Sequence, residues 1–233
     1  MLTFKAQHSL GFLFERFEMQ DGNWELINGD AAHEIEYINH NNTVGVIEAL
    51  VILYTTQAGV GKNGCNACPT PIILNELHRT ATLFLLAQPG CYRNNYNVRV
   101  ADASGKVSYT APPWEEVESH MAQFHRDLAE MWEKSDAITV AAYALWKINW
   151  VHPFRNGNGR SARTFAYACL CLKFGFWLPG SETIIDLIMK DRAPYEAALK
   201  HGDDTFATSG AADLDPMKQY LVDLLTKQLD SIA

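Results

Sequence analysis

The clearest regularity along the chain is an apolar stripe at helical spacing. Trp114, Val117, Met121, Phe124, Leu128 and Met131 recur three and four residues apart with charged residues between them. That spacing predicts a helix over 114–132 that buries one face. The next segment, Ala137–Val151, is almost continuously apolar, which predicts a helix covered on all sides. A third helix is expected over 157–174, with Gly175 placed to end it. Upstream, helical spacing begins near His33 and includes Ile35, Ile38, Ile47, Val51 and Tyr54. A further helix is predicted over 71–87, stopped by Pro89 and Gly90. Two short β-branched runs flank the turn residues 102–105, which predicts a hairpin over 97–110 closed by Pro112 and Pro113. Asp-Gly and Asn-Gly pairs point to another short hairpin around Trp24, and 58–70 reads as loop. Ser181 is the expected cap of a short helix through Met189. Asp215 and Pro216 open a last helix, with Leu221, Leu224, Leu225 and Ile232 as its apolar face. Together these elements predict an all-α bundle carrying one small β-hairpin.

Composition narrows the function classes. The formal net charge of the 233 residues is −8, so no general basic field exists for a polynucleotide, and no nucleic-acid partner is expected. The longest greasy stretches, 44–54 and 81–87, fall short of the roughly 18 residues that span a bilayer. The stretch MLTFKAQHSL holds no apolar run leading to a small-residue cleavage site, so a signal peptide is not expected. The expectation is a cytoplasmic protein without a membrane partner. Among five cysteines, Cys169 and Cys171 lie in apolar sequence and are expected as buried thiols. Cys65 and Cys68 form a lone CxxC, for which His78 and Cys91 are the nearest further ligands, and free thiols in a polar loop are expected there. His33, His40, His78, His120 and His125 are expected at the surface.

The chemistry-bearing segment lies between the second and third predicted helices of the core: His152-Pro153-Phe154-Arg155-Asn156-Gly157-Asn158-Gly159-Arg160-Ser161-Ala162-Arg163. Pro153 disfavours helical geometry at His152, leaving that histidine at a helix end facing a loop. Gly157 and Gly159 let the backbone bend and approach a ligand closely. The loop feeds a helix start, whose open N–H groups and dipole favour an anion. Arg160 and Arg163 project from the first turn, and arginine suits two-pronged contact with phosphate. A base, a phosphate-shaped nest and two cations point to transfer of a phosphate-linked group to a protonated nucleophile. The residues alone do not say which bond of a phosphate chain breaks.

This string resembles the signature HPFx(D/E)GNGRxxR of the Fic family, with Asn156 as the departure from its fixed positions. The resemblance extends upstream through Pro89-Gly90-Cys91-Tyr92-Arg93 and the hairpin, and covers about residues 71–178. It implies a Fic-type helical bundle with a hairpin flap, its core at 71–178; outside that stretch, residues 1–70 are expected as a regulatory N-terminal extension packed on the core and 179–233 as C-terminal helices completing the same domain. It further implies a protein adenylyltransferase. His152 would deprotonate a Ser, Thr or Tyr hydroxyl of a target protein, which attacks the α-phosphorus of ATP. Gly157, Asn158 and Gly159 would line the anion hole, and Arg160 and Arg163 would hold the distal phosphates. Phe154 would anchor the loop, and the hairpin would dock the target by strand addition. Asn156 stands where the family usually carries a carboxylate for Mg²⁺; its amide oxygen is an uncharged ligand, so weaker metal affinity is expected. Alternatives within the fold are phosphoryl transfer, transfer of another nucleotide or AMP removal, and outside catalysis a nucleotide-binding interaction module.

Many Fic proteins also carry an inhibitory helix, (S/T)xxxE(G/N), whose glutamate pairs with the second motif arginine. No serine or threonine here has a glutamate four residues later, and Thr43 to Glu48 is one residue too long. A degenerate form of that helix would place Glu48 against Arg163. Without it, regulation would fall to an antitoxin-like partner.

Overall fold

A computed structural model of the chain describes residues 16–17, 25–56, 68–101 and 105–232. In order these form β1 (Arg16–Phe17), α1 (Asp30–Thr56), α2 (Pro71–Thr82), β2 (Arg99–Ala101), β3 (Val107–Thr110), a 3₁₀ turn (Trp114–Glu116), α3 (Val117–Lys134), α4 (Ala137–Val151), α5 (Asn158–Phe174), α6 (Ile184–Lys190), α7 (Ala193–Ser209) and α8 (Asp215–Asp230). The described chain is therefore mostly helical with one small antiparallel sheet, as the hydrophobic pattern predicts.

The centre of the molecule is the α4–α5 pair. Asp136 starts α4, its carboxylate accepting from Thr139 N at 2.9 Å and Thr139 Oγ1 at 2.7 Å; this cap satisfies an N–H that a helix start leaves open. Ala141, Ala142 and Ala144 on α4 and Ala162, Ala166 and Ala168 on α5 are all buried, and such short side chains let the two backbones pack closely. Around them α3 contributes Val117, Met121, Phe124 and Leu128 to the same core. The first turn of that predicted helix is 3₁₀, and the α-helical part starts at Val117. The expected thiols Cys169 and Cys171 are fully buried.

Several elements differ from expectation for physical reasons. The helix predicted over 71–87 stops at Thr82, because Leu83 takes ψ 132° and Phe84 a left-handed φ of 63°. That turn carries Leu85 and Leu86 onto Ala32, with Ile27 and Ile35 beside them. Apolar spacing alone could not reveal this second cluster. Thr183, not Ser181, caps α6, through a reciprocal capping box with Asp186. The helix α7 was not expected. On α8, Leu221 and Leu224 are buried but Ile232, just past its end, is exposed. His125 also departs from the expected surface position. Its ring nitrogens are buried, Phe124 and Phe165 lie 4.8 and 6.5 Å away, and burial pulls its pKa down to about 4. The hairpin expected around Trp24 and most of the 58–70 loop, with Cys65, lie outside the described residues. Among the described residues no helix is long and apolar enough to cross a membrane.

The sheet has the order β1-β2-β3, all antiparallel, with Val100 opposite Phe17 on one side and Tyr109 on the other. The pairing slips between Val100 and Ala101, a bulge that bends the hairpin. Below it Tyr96, Val98 and Ala111 form their own small cluster with Tyr109 against it. β1 thus fills one edge of the predicted hairpin, a third strand that sequence spacing does not announce.

Candidate active site

The segment 152–163 joins the C-terminus of α4 to the first turns of α5, so both halves of the candidate site are built into the buried centre. His152 follows the last residue of α4 and adopts φ 51° and ψ 56°. A non-glycine residue in this left-handed region costs about 1–2 kcal/mol, so the surroundings must hold it there. Its N–H still closes the helix, donating to Ile148 O at 3.0 Å. Its Nδ1 lies 3.0 Å from Asn149 O. A carbonyl oxygen only accepts, so Nδ1 carries the hydrogen and Nε2 is the basic nitrogen of the neutral ring. Tyr109 of β3 faces the imidazole at 6.4 Å between ring centroids, and its hydroxyl donates to Trp150 O.

The loop is closed by its own side chains. Asn158 receives Phe154 N–H on Oδ1 at 2.8 Å and donates Nδ2–H to Phe154 O at 2.9 Å. The Asn158 amide is therefore committed to loop geometry, and only its backbone N–H is available to an anion. Phe154 is fully buried, as its expected anchoring role requires. Its ring stacks on His78 at 3.7 Å with 6° between planes, and Tyr92 packs at 5.3 Å.

His78 corrects the expectation of a solvated histidine. It has no exposed surface. Gly90 N–H donates to its Nδ1 at 2.7 Å, so the hydrogen sits on Nε2, which donates to Asn156 O at 2.9 Å. Burial pulls its pKa down to about 3; the Asn156 bond opposes that and the Arg160 charge adds to it. A neutral ring thus fixes the loop backbone where Asn156 and Gly157 meet.

Gly157 takes φ 77° as the N-cap of α5. A Cβ there would lie 2.7 Å from Thr82 Cγ2, so both backbone conformation and space demand glycine. The N–H groups of Asn158, Gly159 and Arg160 form the open first turn of α5. Asn156, the expected metal ligand, turns its Oδ1 onto Gly157 N–H at 2.6 Å. Among the described residues no group of three or more His, Cys, Asp or Glu side chains could hold a metal. A divalent cation would therefore rest mainly on phosphate oxygens, with Asn156 Oδ1 as a neutral ligand from the chain.

Of the two motif arginines, Arg163 is buried. Arg160 is half-buried, and its Nη1 lies 2.8 Å from Glu36 Oε1 on α1. Glu36 of α1 thus meets the motif at Arg160. Glu48, which a degenerate inhibitory helix would set against Arg163, is exposed on α1. Arg155, a variable position of the signature, lies over the Tyr96 ring at 4.3 Å and donates to Asn95 Oδ1 at 2.8 Å.

The site joins residues far apart in sequence. His152, Gly157, Asn158, Gly159 and Arg160 come together where α4 meets α5, and His78, Arg93 and Glu36 reach the same segment from elsewhere in the chain. The Fic/DOC family model matches residues 70–170, the stretch that holds α2, the hairpin and the loop. Among solved structures, a Fic domain containing signaling protein from Bacteroides thetaiotaomicron superposes with a TM-score of 0.67 at 22% identity, covering 88% of this chain and 72% of that one. A Fic family protein from Desulfovibrio desulfuricans gives 0.61 at 18% identity, over 88% of this chain and 54% of that one. Fic-1 (aa134–508) from C. elegans gives 0.61 at 22%, over 87% and 51%. The chain thus spans about half the length of the latter two. A curated relative, the ribonucleoside-diphosphate reductase small chain of Ostreid herpesvirus 1, is 35% identical over 103 residues, 39% of this chain and 17% of that protein.

Proposed function

The chain carries a Fic/DOC family domain over residues 70–170, and from that premise we propose that it transfers AMP from ATP to a hydroxyl of a target protein. The observation that carries this reading is the state of His152. With Nδ1–H committed to Asn149 O, Nε2 is the ring atom that can accept a proton. The target hydroxyl gives its proton to Nε2 as its oxygen attacks the α-phosphorus, and pyrophosphate leaves. The departing charge falls on the first-turn N–H groups of α5 and on Arg160 and Arg163, which supports nucleotide binding with the distal phosphates at the helix start. Bound Mg²⁺ would neutralise phosphate charge, with Asn156 Oδ1 as the ligand from this chain. The hairpin lies beside His152 through Tyr109, which supports its use as the docking edge. Because β1 already pairs with β2, an incoming target strand would replace β1 or add beyond β3.

The test compares ATP labelled at the α-phosphate with ATP labelled at the γ-phosphate, incubated with protein, Mg²⁺ and a cell lysate. Protein-bound α-label that disappears in His152→Ala is the expected result. Label from the γ-position alone would replace the reading with phosphoryl transfer. No label from either would overturn it.

A second reading rests on Asn156. Its side chain is uncharged and engaged with Gly157 N–H, which favours a nucleotide-binding module with weak turnover. Asn156→Asp separates the two: a large gain in transfer at low Mg²⁺ marks a metal-limited enzyme. ATP binding without turnover in both forms marks a binding module.

A further inference from the structure

Arg93 has 2% of its surface exposed, and its direct partners are all backbone carbonyls. Its Nε donates to His152 O at 2.8 Å. Its Nη2 reaches Val151 O at 3.2 Å and Pro112 O at 2.6 Å. Its Nη1 reaches Tyr96 O at 3.2 Å. Its own backbone N–H donates to Pro153 O at 2.8 Å. One residue thus grips three successive carbonyls around the candidate base and one carbonyl on each side of the hairpin, before β2 and after β3.

Each grip has a physical reason. The last carbonyls of α4 have no intrahelical donor, and they form the negative end of the helix dipole, where a cation is stabilised. His152 sits in a left-handed conformation that persists only when its surroundings over-determine it. The planar fork of five N–H donors satisfies several carbonyls at fixed angles; an ammonium at the end of a flexible chain cannot.

We propose that Arg93 is a positioning residue for the transfer reaction: it fixes His152 in its Nδ1–H form and ties the docking hairpin to that base. Acting through backbone oxygens, it need not touch nucleotide or target. The proposal rests on the reading of His152 as the base, but its geometry is testable even if no AMP is transferred.

The experiment uses the full chain. Imidazole ¹⁵N spectra, with His152 assigned by its loss in His152→Ala, report the tautomer in wild type and Arg93→Lys. The expected results are a single Nδ1–H tautomer in wild type and a mixture in Arg93→Lys. With α-labelled ATP and lysate protein, kcat is expected to fall about 10–100-fold, the scale of a displaced catalytic group, with the KM for ATP little changed. Gln228→Ala, remote from the site, is the control for lost stability and is expected to keep the wild-type tautomer. A folded Arg93→Lys with wild-type tautomer and kcat would overturn the proposal. If that variant does not fold, the wild type decides: a locked guanidinium gives separate, slowly exchanging Nη signals, and one averaged signal would overturn it. Wild type without transfer but with the expected tautomer shift would reject AMP transfer and retain the positioning role.

Discussion

An imidazole that accepts through Nδ1 and donates through Nε2 cannot take up a proton without losing an acceptor, and His78 is in that position. Its pKa in the fold is about 3, against an ordinary 6.5. Between those values the unfolded chain binds a proton that the folded chain refuses, so stability rises with pH across that window and is lost as pH falls. The slope from this group is about 1.4 kcal/mol per pH unit. Urea unfolding from pH 3.5 to 6.5 should therefore show a steeper pH dependence for wild type than for His78→Gln, by close to one proton. Equal slopes would mean that His78 is protonated in the fold. Asp203 opposes this effect: burial raises its pKa to about 6, so its contribution fades as pH climbs from its ordinary value through 6. The comparison between variants cancels that background. At Gly157 two costs can be separated. Gly157→Ala should lose about 1–3 kcal/mol from the left-handed backbone and the clash with Thr82. Adding Thr82→Ser removes the clashing methyl and should recover the steric part alone, read as a partial return of the urea midpoint.

At the scale of elements, α1 and α5 meet through one charge pair. Arg160 is neutralised by Glu36, so an incoming polyphosphate must compete with a carboxylate already in place. Glu36→Gln removes that competitor. Calorimetric titration with ATP is expected to show binding about 5-fold tighter, the equivalent of about 1 kcal/mol for a partly buried pair. Unchanged or weaker binding would mean that Glu36 serves only to seat α1. The same elements show what sequence discloses. The bounds of α4 are legible because Asp136 and Pro153 punctuate an apolar run, and α5 because glycines bracket it. The overrun of α2 had no local breaker to reveal it: Leu83 to Leu86 stay apolar, and the chain turns at Phe84 because Ala32 waits elsewhere. In α7 only Tyr195, Ala198 and Gly202 are buried, too thin a stripe to stand out. The motif made His152 and Arg160 visible. His78 and Glu36 lie 78 and 124 residues from their partners, and only folding brings such pairs together.

For the molecule as a whole, α8 is secured by one buried amide. Gln228 Oε1 accepts from Ile184 N–H at 2.8 Å, and its Nε2 donates to Tyr167 OH at 2.9 Å and Leu178 O at 3.1 Å. Gln228→Ala leaves these groups buried without it, and a loss of about 2–4 kcal/mol is expected in thermal or urea unfolding. A change below 1 kcal/mol would show that water or a shift of α8 replaces the amide. The carbonyl grip of Arg93 has a different kind of consequence. Every residue has a backbone oxygen, so the clasp at the hairpin roots places no demand on which side chains stand at 96 and 112. Apart from Tyr109, which packs against His152 and bonds Trp150 O, the strands between them can therefore vary like an exchangeable cassette, altering which proteins are recognised while the base behind them keeps its place.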